Sequence, residues 1–172
     1  MSREQAVRAW LRARGAETVD HPGGTLYAHL GRVHDRLTTL GHPPQVALAG
    51  LAHAAYGTDG FDLTLLDVAD RAVLRELTGP EAEDLIYLYG ACDRSRTWQP
   101  LPDTHQVWDR FTGAAHTLAP EQVRPFADLS LVNELDVGFA PQHAAYFRTL
   151  VEAWAPLVSP AVLAEAREAL AR

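Results

Sequence analysis

The sequence contains no lysine, so all 15 of its Lys and Arg positions are arginines. A chain without lysine cannot form a Schiff base through a side-chain amine, and it cannot build the phosphate-binding loop in which a lysine contacts the phosphates. Cys92 is the only cysteine, which excludes a disulfide within the chain. No histidine is placed beside Cys92 by its spacing, and we interpret this residue as part of the core.

Long apolar runs and an excess of positive charge are also lacking. No run approaches the roughly 18–20 residues needed to cross a bilayer, and the first five residues are polar, unlike a secretory signal. We therefore expect a cytoplasmic protein. The net charge of −7 would repel nucleic acid and anionic membranes. A small-molecule substrate is the expected partner, and both a monomer and a homodimer stay open.

A helical period runs through most of the chain. The length of 172 residues suits one domain with a full core. Leu26, Leu30, Val33 and Leu37 follow the spacing of an amphipathic helix, and the segment 46–52 is apolar on all sides, which predicts a central helix. We expect an all-α domain with helices over 2–14, 25–40, 44–56, 67–78, 81–93, 120–136, 141–155 and 160–171.

Residues 94–119 lack this period. They are rich in Pro, Thr and Gly, and we expect a long loop there with one short helix at most. Loops of this length often lie over a functional site. No segment of the chain has a convincing strand pattern.

Two histidines stand out because they lie on apolar helix faces. His29 directly precedes Leu30, and His53 follows the apolar segment 46–52. Burying an imidazole without a partner costs about 1–3 kcal/mol, so both need partners. Either the two rings hold a metal ion together, since neutral imidazole is a common metal ligand, or each is hydrogen-bonded separately in the core.

An acidic side chain far along the chain is a candidate third member of this site. Asp136 shares a helix face with Leu129 and Asn133, where a carboxylate is rarely left unpaired. The alternative is an exposed position near the helix end at Gly138. Glu134 points elsewhere on the same helix, and we expect it to be solvated.

His21 and Tyr56 are candidates for handling protons and substrate. His21 precedes the turn before the His29 helix, and it either reaches the same site or stays on the surface. Tyr56 lies three residues after His53, near enough to line a pocket and donate a hydrogen bond.

Three arginines are candidates for binding an anionic substrate group. Arg94 and Arg96 follow a predicted helix, and Arg110 lies in the expected long loop. A guanidinium can bind a carboxylate or phosphate through two parallel hydrogen bonds. The alternative for Arg94 and Arg96 is that they complement the dipole at the helix C-terminus.

The other histidines carry no spacing signal. His34 and Asp35 are adjacent, but His34 lies nearly opposite His29 on the helix, so we expect a solvated surface pair. The remaining four, in loops or at helix starts, are His42, His105, His116 and His143.

Two segments of the sequence resemble the opening of the HD-domain superfamily. That superfamily often has a Gly-Gly-Leu-x-x-His-x-x-x-Val segment, followed on the next helix by Leu-Leu-His-Asp. Here Gly24-Thr25-Leu26 leads to His29 and Val33, and His53 follows 24 residues after His29. Segment 53–58 is more specifically similar to an uncharacterised bacterial HD-like family with the signature His-(Ser/Ala)-x-Tyr-Gly-Thr, and segment 133–136 matches its later Asn-x-Leu-acidic motif.

This resemblance covers residues 20–137 and implies a fold and a ligand set. The fold would be a single HD-like helical bundle of about 6–8 helices, with its core in 20–137 and packing helices in 141–171. His29, His53 and Asp136 would hold one divalent ion, with Mn, Fe, Zn and Mg all open. His21 would orient a water or pass protons.

Ala54 departs from the superfamily pattern because it stands where the His-Asp doublet has its aspartate. The loss of that ligand argues against a dinuclear centre and leaves either one ion or none. The resemblance favours a metal-dependent hydrolase of a small, phosphorylated or otherwise anionic molecule. An HD-fold iron oxygenase and a non-catalytic small-molecule-binding domain with a degenerate metal site are the alternatives.

Overall fold

The computed structural model describes residues 1–172 and is mostly helical, which confirms the expected predominance of helix. Ten α-helices form, more than expected, and none is both long and apolar enough to cross a bilayer. The helices are α1 (Arg3–Ala13), α2 (Leu26–Thr39), α3 (Pro44–Ala52), α4 (Arg71–Thr78), α5 (Pro80–Ala91), α6 (Arg94–Thr97), α7 (Leu101–Thr104), α8 (Pro120–Val137), α9 (Ala144–Ala153) and α10 (Pro160–Ala171). Short 3₁₀ helices cover Ala16–Thr18, Val68–Asp70 and Pro141–His143.

Four short strands accompany the helices. They form two antiparallel pairs, β1 (Asp20–His21) with β2 (Gly24–Thr25) and β3 (Gln106–Asp109) with β4 (Ala114–Thr117). The chain divides into two compact units, residues 1–91 and residues 92–172. The expectation of one domain stays a prediction, and each unit is described by itself.

The first unit is built around α3. All its residues from Val46 to Ala52 are buried, and it packs against α1, α2, α4 and α5, which confirms the predicted central helix. Helix α2 begins at Thr25, whose side chain accepts a hydrogen bond from the Ala28 amide, and it buries the stripe expected from its period.

Helix α3 ends four residues earlier than its sequence pattern predicts. His53 is its C-cap, and residues 53–56 form a turn rather than a further helical turn. The Ala55 amide bonds to the Ala52 carbonyl and the Gly57 amide to the Ala54 carbonyl. Gly57 adopts a φ of 75°, which L side chains rarely adopt, so the chain reverses there without strain.

The second unit centres on α8 and α10. Helix α8 buries most of its residues from Val123 to Glu134, and α10 packs against α8 and α9. Asp128 on α8 is fully buried and accepts hydrogen bonds from the amide and hydroxyl of Ser159, the residue before α10. Trp154 is also buried, and its indole donates to the Trp98 carbonyl (2.9 Å). Cys92 is buried, as expected.

The prediction of an irregular loop over 94–119 is wrong. The segment holds the two short helices α6 and α7 and the β3–β4 hairpin. Four-residue elements are too short for a sequence period to reveal them. The hairpin turn is held by buried Asp109, which accepts from the amides of Phe111 and Thr112 and from His116 Nε2.

Two helical glycines of the first unit give a matched test of the α2–α3 packing. A Cβ at Gly50 would lie 2.5 Å from Leu37 Cδ1 and 3.2 Å from Val33 Cγ1, whereas at Gly31 the nearest atom is the flexible end of Arg8, at 3.4 Å. We expect Gly31→Ala to raise the free energy of unfolding by about 0.5–1 kcal/mol, because alanine favours helix.

Gly50→Ala gains the same helix propensity, but it forces two core side chains apart. We therefore expect it to lower the free energy of unfolding by about 1–3 kcal/mol. Chemical denaturation of both variants measures the difference. Equal stabilisation by both substitutions would contradict the close packing of α2 on α3.

Candidate functional site

His29 and His53 meet inside the first unit. Each is 1% exposed, and their Nε2 atoms are 3.3 Å apart. His29 is carried by the buried stripe of α2, and His53 by the C-terminus of α3. The prediction that these two imidazoles meet in a helical core is confirmed.

The hydrogen bond of His53 Nδ1 determines whether Nε2 of the same ring carries a proton. His53 Nδ1 lies 2.7 Å from the Gly50 carbonyl, and because a carbonyl only accepts, Nδ1 carries the proton. In the neutral ring Nε2 is therefore unprotonated, and it lies 3.3 Å from His29 Nε2. Metal-binding histidines commonly have this arrangement, with one nitrogen donating to a backbone carbonyl and the other directed at the ion.

The separation of the two Nε2 atoms fits two chemical states. It is within range for a hydrogen bond between the rings. It also fits a shared ion, because two nitrogens bound at about 2.0–2.1 Å with a tetrahedral angle lie roughly 3.3–3.4 Å apart. The rings are inclined at 77° with centroids 5.2 Å apart, which is compatible with either state.

His21 joins this pair through its ring face. It lies on β1, is half-buried, and stacks on His29 with ring centroids 4.0 Å apart and an interplanar angle of 23°. Phe61 meets His21 edge-on at 5.3 Å, and Tyr89 meets His53 edge-on at 4.9 Å. Five rings thus form a continuous row with the three imidazoles in the middle.

His21 contacts His29 through its ring face, whereas His29 and His53 approach each other through their Nε2 atoms. No group of three or more His, Cys, Asp or Glu side chains in the chain is arranged to hold a metal ion. The pair His29–His53 is therefore the candidate set of metal-binding nitrogens in this unit.

Asp136 lies in the second unit, near the C-terminal end of α8, and is half-buried. Its predicted role as a metal ligand stays a prediction.

The expectation that Glu134 is solvated is wrong, because Glu134 is buried and accepts from Arg94 Nη1 (3.0 Å) and Asn133 Nδ2 (3.2 Å). A charged residue on a helix looks solvated from its period until a partner from another segment is known.

The three arginines predicted to bind a substrate have protein partners. Arg94 pairs with Glu134 and lies over the Trp98 ring at 4.9 Å. Arg96 lies over Trp108 at 4.5 Å, and Arg110 lies over Phe111 at the same distance. Their role in anion binding stays a prediction.

The expectation that His34 and Asp35 form a solvated pair is wrong for His34. This imidazole is buried, while Asp35 is exposed. His34 Nδ1 lies 2.9 Å from the Asp35 carboxylate, and its Nε2 lies 3.8 Å from Glu4 of α1. Side chains of α1 thus reach this face of α2, as Arg8 also does at 3.6 Å from Asp35, and the period of α2 alone does not reveal them.

A buried carboxylate, Glu83, is the functional candidate that sequence reasoning missed. It lies on α5 and is fully buried. Its Oε1 accepts from the Tyr56 hydroxyl (2.8 Å) and Arg71 Nε (2.7 Å), and its Oε2 accepts from Arg71 Nη2 (2.8 Å) and Arg75 Nη1 (3.1 Å). One signal in the sequence could have indicated its burial. Glu83 lies seven residues before Gly90, on the inner face of the same helix.

The environment of this cluster shifts two pKa values. Burial raises the pKa of Tyr56, and the hydrogen bond to Glu83 raises it further, so the phenol stays protonated and donates. Burial by itself would raise the pKa of Glu83, but hydrogen bonds from Arg71 and Tyr56 outweigh it and lower that pKa. Glu83 is therefore ionised at neutral pH.

Comparison with known proteins gives one similarity to a family, and it lies mostly within the first unit. Residues 10–94 match a family described as a domain of unknown function (DUF6817), just under half of the chain. No curated protein and no solved structure matches the chain. The matched segment contains His21, His29, His53 and Glu83, whereas Asp136 lies outside it.

The lowered pKa of Glu83 predicts a dependence of stability on pH. Its stabilising contribution is complete above the pKa of an unfolded glutamate, about 4.3, and is lost as the pH falls through the lower folded pKa. We expect the free energy of unfolding to decrease below about pH 4.3, and to decrease less in Glu83→Gln.

Chemical denaturation at a series of pH values measures this effect. Asp84→Asn is the control, since Asp84 contacts the same arginines from a half-exposed position. It should retain the dependence on pH. An unchanged dependence in Glu83→Gln would contradict the assignment.

Proposed function

We propose that this chain is a metal-dependent hydrolase with an HD-like helical core, and that His29 and His53 hold one divalent ion. The observation that supports the proposal is the 3.3 Å separation of two buried Nε2 atoms whose rings converge. Two isolated core histidines would each need its own partner, whereas here they face one another.

The donor set favours a transition metal. Imidazole nitrogens suit Zn, Fe, Mn and similar ions, whereas Mg²⁺ prefers oxygen ligands and retains its waters. When bound, such an ion supplies a water whose pKa is lowered toward neutrality. Ala54 replaces the expected second acidic ligand, so the proposal is for a single ion.

The surrounding residues have separate tasks in this proposal. The Gly50 carbonyl fixes the His53 tautomer through Nδ1. Tyr89 packs against the edge of His53 and keeps solvent from the ring. His21 is half-buried beside His29, where it can take or return the proton of a reacting water.

The substrate class follows from the HD-domain resemblance and is proposed on that ground alone. It is a small phosphorylated or otherwise anionic molecule. The ion itself would attract such a group, because His29 and His53 are neutral ligands that leave its positive charge uncompensated.

Metal binding is the first test of this proposal. The native chain, purified without a histidine tag or chelator and titrated with Zn²⁺, Mn²⁺ or Fe²⁺ in a calorimeter, should bind about one equivalent. His53→Ala and His29→Ala should each weaken binding by at least about tenfold, because each removes one of two protein ligands. Asp136→Asn in the same titration tests the acidic ligand that the resemblance implies.

His34→Ala is the matched control, since it removes a buried histidine from the same helix as His29 but outside the pair. It should bind metal as the native chain does. Equal binding by the native chain, His29→Ala and His53→Ala would refute the site.

Hydrolysis is the second test. The metal-loaded native chain should release phosphate from members of a panel of small phosphomonoesters and phosphodiesters, and His53→Ala should lose this activity by about a hundredfold or more. Oxygen consumption by the iron-loaded protein, without hydrolysis, would instead favour an oxygenase. Ligand binding without turnover of any panel member would favour a binding domain and contradict the hydrolase.

A further inference from the structure

Tyr56 is held at both ends against α5. Its hydroxyl donates to Glu83 (2.8 Å), and its Cβ lies beside Gly90, where an added Cβ would be 3.3 Å away. The same added Cβ would lie 3.1 Å from the Gly57 carbonyl. The absence of a side chain at Gly90 thus lets the turn after α3 lie directly on α5. Tyr56 is 1% exposed, so protein atoms enclose its ring.

His53 begins the turn that Tyr56 closes. Hydrogen bonds from the Ala55 amide to the Ala52 carbonyl, and from the Gly57 amide to the Ala54 carbonyl, leave this turn little freedom. The amides of Leu65 and Leu66 both bond to the Ala55 carbonyl, which restrains it from the other side. A displacement of Tyr56 would therefore move the backbone of His53.

We propose that Glu83 is a positioning residue for His53, acting through the Tyr56 hydroxyl to hold the imidazole at its 3.3 Å separation from His29. Helix α5 contributes a second contact in the same direction, the Tyr89 ring against the edge of His53. The proposal assigns Tyr56 a supporting role rather than contact with a substrate. The expected effect of this positioning role on metal affinity rests on the proposed function. The expected effect on the histidine rings does not.

The ion pairs between α4 and α5 are separable from this role. Arg75 bonds to Asp84 (2.6 Å) as well as to Glu83, and Arg71 lies 3.6 Å from Asp84. Asp84 has a half-exposed side chain that is directed at Arg71 and Arg75. Two neighbouring carboxylates on one helix thus share the same arginines, but only Glu83 reaches the turn that carries His53.

The test compares Tyr56→Phe, Glu83→Gln and Asp84→Asn with the native chain. Long-range proton–nitrogen correlation spectra of protein labelled at histidine report the tautomer and surroundings of the His29 and His53 rings without any metal. We expect Tyr56→Phe and Glu83→Gln to shift the ring signals of both histidines, while Asp84→Asn leaves them at their native positions.

A second readout is the affinity for Zn²⁺ measured by calorimetry. Supporting partners of metal ligands typically change affinity by about 10–100-fold, and we expect a loss of at least about tenfold in Tyr56→Phe and none in Asp84→Asn. If the native chain binds no metal, the proposed function fails, and the ring signals still decide the positioning role.

A purely structural role for Glu83 would give a different result. Tyr56→Phe would then lower the free energy of unfolding while the His29 and His53 signals and the Zn²⁺ affinity stayed native, and this outcome would overturn the proposal. Tyr56→Phe keeps the ring and removes only the hydroxyl. It decides the question by itself if Glu83→Gln does not fold.

Discussion

The close approach of α2 and α3 at Gly50 is the constraint on which the histidine pair depends. Gly50 has no side chain, so Leu37 and Val33 of α2 can pack directly on α3. Its backbone carbonyl also accepts a hydrogen bond from His53 Nδ1. One glycine thereby brings the two helices together and orients the ring that must face His29. A larger residue would separate the imidazoles as well as the helices.

His53 and Glu83, two polar residues buried in the first unit, both have partners from other segments. His53 bonds to its own helix and to His29 on α2, and Glu83 of α5 bonds to Arg71, Arg75 and Tyr56. Such groups are costly to bury unpaired, so each is compatible with only one arrangement of the surrounding elements. The Glu83 cluster and the histidine pair lie on opposite sides of the turn at 53–57. Both therefore favour the same packing of the elements around that turn.

The chemistry of the candidate site belongs to the first unit. The segment that matches the family of unknown function includes the histidine pair and the Glu83 cluster. In the second unit the buried polar groups serve mainly to join elements, as Asp128 does with Ser159 and Glu134 with Arg94. The similarity over residues 10–94 therefore directs experiments to this segment.

Local periodicity by itself determined the helices α2 and α3 and their buried faces, because a helix period depends only on neighbouring residues. It also indicated His29 and His53, since an imidazole on an apolar stripe requires a partner. Only the tertiary structure decided where α3 ends and that β3 and β4 form a hairpin. It also decided the burial of His34 and Glu134 and the cluster of hydrogen bonds around Glu83. These features depend on contacts that a helix period does not contain, such as the pairing of β3 with β4 and the bond from Arg94 to Glu134. A charged side chain has the same local pattern whether it is solvated or paired.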